Sequence, residues 1–227
     1  AVLYAWYPGQ IGQVALAEIL AGKVNPSGKL PITIEKKFED SPAFGYVPAN
    51  RTVQWPGSKN TPGEREGKRE LVYDVNYKED IFVGYRWYEH KGIKPLYRFG
   101  EGLSYSTFAY ANLQVSAKDF ARAGKVQVTF DVKNTSGRSG DEIAQLYVGQ
   151  RKCSVERPEK ELKGFRKVSL KPGETQTVTL VLDKRDFQFW SPTTKAWTLE
   201  PGTFDLAVGG SSAAPLKKKI ELPALLQ

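Results

Sequence analysis

AVLYAWYPGQIGQVALAEILAGKVNPSGKLPITI, residues 1–34, sets the class of the first part of this chain. Ala1–Trp6 is an apolar run with the character of a buried strand, and Pro8-Gly9 breaks it. Val14, Leu16, Ala17, Ile19, Leu20 and Ala21 then recur at helical spacing, which predicts a short helix over residues 12–22 that ends near Gly22. Asn25-Pro26-Ser27-Gly28 turns the chain into a second apolar strand, Leu30–Ile34. Strand, helix and strand form one βαβ-like unit, and such strands bury both faces only inside a larger α/β sheet. A buried strand at residue 1, with no initiator Met, leads to the expectation that the rest of that sheet, and any chemistry it carries, lies upstream.

The character changes twice after this unit. Residues 39–75 are polar and punctuated by Pro42, Pro48, Pro56, Pro62, Gly57, Gly63 and Gly67, which predicts a long irregular loop. Aromatic and apolar residues return from Tyr77 to Tyr88, and Leu96–Tyr105 reads as a tightly packed connector. From Phe108 the pattern has period two, at Asn112–Ala117, Val126–Val132, Ile143–Val148, Thr177–Leu182 and Thr203–Val208. Turn signals separate these runs: Asn134-Thr135-Ser136-Gly137, Lys171-Pro172-Gly173-Glu174 and Glu200-Pro201-Gly202. The expectation is a seven-stranded sandwich of immunoglobulin or fibronectin type III kind. Trp190 and Trp197 flank a Ser191-Pro192-Thr193-Thr194 turn and are expected to pack on it as a hairpin. The fold class is thus α/β plus all-β, with residues 1–107 closing an α/β domain and wrapping toward a sandwich at 108–227.

Composition narrows the functions. No apolar stretch is long enough to cross a bilayer. One cysteine, Cys153, cannot form an internal disulfide, and the one histidine, His90, has no metal-ligand or triad spacing around it. The net charge of +8 divides into 14 basic against 12 acidic residues in 1–107 and 19 against 13 in 108–227. These basic residues alternate with acids along expected strands, which reads as a solvated surface and not as a nucleic-acid footprint.

Several strings then become recognisable in order. They are Ala5-Trp6-Tyr7-Pro8-Gly9-Gln10, Asn25-Pro26-Ser27-Gly28-Lys29-Leu30-Pro31, Val83-Gly84-Tyr85-Arg86-Trp87-Tyr88, Phe99-Gly100-Glu101-Gly102-Leu103-Ser104-Tyr105 and Glu161-Leu162-Lys163-Gly164-Phe165. The series resembles the C-terminal half of family 3 glycoside hydrolases, the β-glucosidase and β-xylosidase group. The resemblance implies a retaining hydrolase that acts on terminal non-reducing β-D-glucosyl residues. Its nucleophile and acid/base would lie in an upstream barrel and α/β domain, so no catalytic residue is assigned to this chain, which is expected to be inactive alone. It also implies a β-linked oligosaccharide substrate, no cofactor, no metal, no nucleic-acid or membrane partner, a homodimer as one option, and a periplasmic or extracellular setting. The alternative is a carbohydrate-binding or assembly sandwich without catalysis, for which Phe165, Phe187, Phe189 and Phe204 offer little, since they fall in strand patterns that read as core.

Retaining catalysis needs two carboxyl groups about 5–5.5 Å apart, and its acid needs an apolar pocket. Glu64, Glu66, Glu70 and Asp74 stand among Arg and Lys, as solvated charges do. Asp80 and Glu101 lie in aromatic segments but match no catalytic motif. Trp55, on the long loop, is the candidate substrate-binding residue: sugars dock their C–H faces on exposed rings, although such a ring also pins a loop to its domain. Arg86 reads as an interdomain link, and His90 as an exposed turn residue. Asn134-Thr135-Ser136 and Asn50-Arg51-Thr52 satisfy the glycosylation acceptor pattern.

Overall fold

The computed structural model describes residues 2–46 and 77–225. Helix α1 spans Gly12–Leu20, a 3-10 turn covers Phe38–Asp40, and α2 spans Tyr85–His90. The sandwich then runs β1 (Phe108–Ser116), one-turn α3 (Phe120–Ala123), β2 (Lys125–Asn134), β3 (Gly140–Gln150), β4 (Glu161–Leu170), β5 (Thr175–Asp183) and one-turn α4 (Lys184–Phe187). A hairpin, β6 (Phe189–Ser191) and β7 (Ala196–Thr198), precedes β8 (Gly202–Gly209) and β9 (Leu216–Leu222).

Two antiparallel sheets face each other, one ordered β1-β2-β5 and the other β4-β3-β8-β9. Period-two alternation does the work. Val126, Val128, Phe130 and Val132 of β2 point inward against Ala144, Leu146 and Val148 of β3 and Phe204, Leu206 and Val208 of β8. At one end of this core Phe187 meets Phe120 and Phe204 edge to face, with ring centroids 5.5 and 5.2 Å apart. Phe187 is held there because Asp183 and Asp186 form a reciprocal capping box at the start of α4.

Five of the seven sandwich strands coincide with the alternating runs. The other two, β4 and β9, are edge strands with few inward residues. Leu216-Lys217-Lys218-Lys219-Ile220 reads as a solvated charge run, yet β9 pairs with β8 throughout, and its lysines guard an open edge. Phe165 is a correction: it faces out, opposite Gln145, and is 67% exposed, not core.

The opening segment differs from its expected form. Helix α1 stands where its spacing places it, but residues 2–6 carry no ladder, and Leu3, Tyr4 and Trp6 are exposed. A strand exists only where a neighbour completes its hydrogen bonds, and no described segment lies beside 2–6. Leu30–Ile34 finds its partner downstream instead. The Leu30 amide donates to the Glu101 carbonyl at 2.8 Å, Gly100 donates to Leu30 at 2.8 Å, and Ile34 forms an antiparallel bridge with Tyr97.

Burial separates the two phenylalanines that the sequence treats alike. Phe187→Ala should lower unfolding stability by about 3–5 kcal/mol. Phe165→Ala should change it by no more than about 0.5 kcal/mol, and denaturant titration of both variants checks the contrast.

Candidate functional site at the interdomain junction

The turn that the sequence marks by Asn25-Pro26-Ser27-Gly28 is bolted to the sandwich by one side chain. Asn25 Nδ2 donates to Ser106 Oγ (2.8 Å) and to the Ser139 carbonyl (2.9 Å), and its Oδ1 accepts from Ser104 Oγ (2.8 Å) and the Tyr105 amide (2.9 Å). The approach is so close that a Cβ on Gly140 would lie 2.6 Å from Ser106 Oγ and 2.7 Å from Asn25 Nδ2. Arg138 extends the same contact: Nη2 donates to the Gly22 carbonyl at 2.6 Å, and its guanidinium lies over the Tyr105 ring. Tyr105 in turn donates to the Ile19 carbonyl at 2.6 Å, so the C-terminal end of α1 is tied in as well.

Beside this bolt, Lys29 pairs with the buried Glu142 at 3.0 Å, and Tyr110 donates to the same carboxylate at 2.7 Å. Burial, reinforced by the neighbouring charge of Glu142, pushes the Tyr110 phenol far above its ordinary range.

The outward face of β3 is covered by the connector. Gln145, 3% exposed, donates from Nε2 to the carbonyls of Gly100 (3.2 Å) and Gly210 (2.7 Å) and accepts from Tyr147 at 2.5 Å. Tyr85 stacks on Phe99 at 4.8 Å, meets Tyr147 edge-on at 5.9 Å, and accepts from the Leu162 amide at 2.8 Å. Arg86 lies 3.0 Å from Glu161, which also takes Arg157 and Lys163 at 3.4 Å each. Glu89 bridges Lys160 (3.0 Å) and Arg98 (3.6 Å). His90 stacks on Phe82 between Glu156 and Glu159 and is only 24% exposed in its side chain, so it belongs to the junction and is not the exposed turn residue expected.

A cavity of about 200 Å³ opens between α2, the 92–98 turn and the sandwich, lined by Thr33, Tyr85, Tyr88, Glu89, Arg98 and Ser212 among others. Thr33 Oγ1 makes no hydrogen bond. Tyr88 donates to Glu35 at 3.3 Å, and burial, then the charge of Glu35, raises its phenol from 10.0 to about 12.

Among the described residues, the carboxylates that join the two parts are paired with cations or close their own turn, which is not the apolar setting of a general acid. Glu142, Glu161 and Glu89 face cations. Glu101 accepts from the Arg98 amide at 2.8 Å and closes its own turn, and Asp80 is exposed on left-handed backbone. The buried acid of that segment is Glu79, whose Oε2 has no partner. Trp55, Glu64, Glu66, Glu70, Asp74 and the Asn50 acceptor pattern lie outside the described residues. Asn134 is fully buried; its amide donates to the Arg138 and Leu170 carbonyls, so that acceptor pattern is a structural turn. Among the described residues no group of three His, Cys, Asp or Glu could hold a metal ion, and Cys153 is a free thiol that burial pushes up.

The sequence carries no signal for Asn25 beyond a turn. Gln145 had none either: the period-two reading of Ile143–Val148 places it on the face away from the core, where a polar residue is ordinary.

Fold and junction together define a β-sandwich bound along one sheet face to the helix and connector that precede it. Residues 1–85 match the glycosyl hydrolase family 3 C-terminal domain, and residues 142–212 match the fibronectin type III-like domain. The chain is 45% identical over 211 residues to thermostable β-glucosidase B of Acetivibrio thermocellus, covering 93% of this chain and 25% of that protein. It is 41% identical to a Bacteroides ovatus β-glucosidase, covering 93% of this chain and 26% of the relative. The crystal structure of a Bifidobacterium adolescentis β-glucosidase superposes with a TM-score of 0.79 at 38% identity, over 96% of this chain and 29% of that one. The chain thus carries a glycosyl hydrolase family 3 C-terminal domain and a fibronectin type III-like domain, and it spans about a quarter of the length of the curated relatives it matches.

Two outcomes follow. Asn25→Ala should favour opening of the junction by about 1–3 kcal/mol, since it strands the groups it satisfied. Hydrogen exchange should then accelerate at the Tyr105 amide and stay unchanged at Leu146. The neutral Tyr88 phenol contributes fully below pH 10, and that contribution is lost as pH climbs toward about 12, because the folded-state value lies above the unfolded one. The stability advantage of the wild type over Tyr88→Phe should therefore shrink across that interval in alkaline denaturation curves.

Proposed function

We propose that this chain serves as the C-terminal region of a retaining β-glucosidase-type hydrolase that releases terminal β-D-glucosyl residues from β-linked oligosaccharides, with a β-xylosidase as the nearest variant. The observation that carries this reading is the commitment of Glu142, Glu161 and Glu89 to cations, in a chain matching β-glucosidases over most of its length. A general acid needs the opposite surroundings, so the reading assigns nucleophile and acid/base to groups outside this chain.

In this reading residues 1–107 complete the α/β domain, and the sandwich at 108–227 braces it. The exposed apolar side chains of Leu3, Tyr4, Trp6, Ile11, Val14 and Leu20 would then be the surface on which upstream strands and helices pack. Trp55 is proposed as an outer sugar contact on its sequence context alone. A homodimer is not required, since Lys163, Arg166 and Lys167 line the open edge strand β4 and oppose edge pairing. The substrate class suggests work in the periplasm or outside the cell. Among the described residues no helix is long and apolar enough to cross a membrane.

A chimera tests the proposal. When the matching region of the Acetivibrio thermocellus enzyme is replaced by residues 1–227, the product should hydrolyse an aryl-β-glucoside, and Asn25→Ala in the chimera should lower its thermal inactivation temperature. The isolated chain should release no aryl alcohol. Hydrolysis by the isolated chain, or a folded chimera with no activity, would overturn the reading.

A further inference from the structure

The cavity between α2, the 92–98 turn and the sandwich has a polar lining with donors to spare. Lys94 and Arg98 bring two cations to it, Glu89 brings one carboxylate from α2, and Ser212 brings a hydroxyl from the turn between β8 and β9. The Arg98 guanidinium reaches Glu89 only at 3.6 Å and Glu101 only at 4.0 Å, and contacts of that length are not hydrogen bonds. A guanidinium carries its N–H donors in a fixed fork, and among the described residues no acceptor fills that of Arg98. Ser212 is 1% exposed, yet only its amide is tied, to the Phe99 carbonyl at 2.9 Å; its hydroxyl bonds to no described residue. Thr33, in the same wall, has a buried hydroxyl oxygen without a partner.

Charge and size point to one kind of guest. Glu89 is held by Lys160 at 3.0 Å, outside the cavity, so the lining's one carboxylate is already neutralised. Lys94 and Arg98 therefore face the space with no free negative partner. Donors left without acceptors are costly in a shielded place. Water brings two hydrogens with its lone pairs, whereas an oxyanion brings acceptors only. A tetrahedral oxyanion also matches the guanidinium fork with two of its oxygens. The volume of about 200 Å³ equals about seven waters at about 30 Å³ each. It falls below the roughly 300–1,000 Å³ of pockets for drug-sized ligands, which suits a small oxyanion and excludes an oligosaccharide.

We propose that Arg98, Lys94 and Ser212 form a binding site for a small oxyanion of phosphate or sulfate type. Arg98 belongs to the connector and Ser212 to the sandwich, so an occupied site is a further tie between these two parts. The site rests on this geometry and stands or falls apart from the β-glucosidase reading.

Calorimetric titration of the 227-residue chain with inorganic phosphate and with sulfate, against sodium chloride at matched ionic strength, tests it. At least one of the two oxyanions should bind saturably, one per chain, and chloride should not. Arg98→Gln should weaken binding at least about tenfold, and Arg98→Lys, which keeps the charge and loses the fork, at least about threefold. Lys94→Gln alters an exposed side chain that pairs with no described carboxylate, so it leaves the fold intact and should still cost about threefold. Lys125→Gln, on the opposite sheet, should stay within about twofold of the wild type. The bound anion should also raise the unfolding temperature of the wild type and not that of Arg98→Gln. No saturable binding above the chloride control, wild-type affinity in Arg98→Gln or in Lys94→Gln, or an equal loss in Lys125→Gln would overturn the proposal.

Discussion

One carboxamide holds the two parts of this molecule in register. Asn25 uses both amide hydrogens and its oxygen on four groups of the connector and sandwich. No other uncharged side chain of that length provides two donors and an acceptor at one tip except glutamine, which is a methylene longer. Gly140 leaves no room for adjustment, because any Cβ there would strike both Asn25 and Ser106. The turn is therefore fixed by polar geometry where two domains meet, and the pairing of Leu30 with Glu101 and of Lys29 with Glu142 follows from where that turn puts the next few residues.

Around this bolt the interactions differ in weight. The stacked Tyr85, Phe99 and Tyr147 bury aromatic surface, with about 0.5–1.5 kcal/mol per ring pair beyond the area itself. Gln145 is costly to leave unpaired, so the connector carbonyl of Gly100 and the Gly210 carbonyl just after β8 are bound where it needs them. The ion pairs at the rim are individually worth about 0–1 kcal/mol when exposed, yet Glu161 collects three cations and Glu89 two. They select one docking angle for α2 against β4, while the apolar and amide contacts supply most of the hold.

What could be read from sequence divides along the same physical line. Strands β2, β3, β5 and β8 alternate because one face meets the core, and alternation is visible in one dimension. In β4 and β9 the alternation is interrupted by Lys163, Arg166 and Lys167 and by Lys217-Lys218-Lys219, so they look like charged coil. Phe165 and Phe187 are identical by residue type and differ only in what the fold brings opposite them. The Trp190–Trp197 hairpin was legible because its turn is local. Asn25, Gln145 and Glu142 were not, because their partners lie 79 to 114 residues away for Asn25 and 45 to 65 for Gln145. Residues 2–6 show the converse: an apolar run states that it wants burial, but its ladder depends on neighbours that the described residues do not include.

The allocation of surface also bears on what the sandwich can do. The outward face of β3 and β8 is spent on the connector, through Gln145, Tyr147 and Ala207. The outward face of β1-β2-β5 presents Thr129, Asp131, Thr177 and Thr179, which bond across strands, Thr129 to Thr179 and Asp131 to Asn112 and Thr177. Those two bonds hold the Asp131 carboxyl below its ordinary range, so its lone pairs are committed as well. Of the sandwich surfaces in view, one face is structural and another is satisfied internally. The β6–β7 hairpin lies outside the core and keeps Trp190 and Trp197 half exposed. The outward face of β3 and β8 ties the sandwich to the connector through many contacts at once, so the two move as one where a flexible tether would let them part.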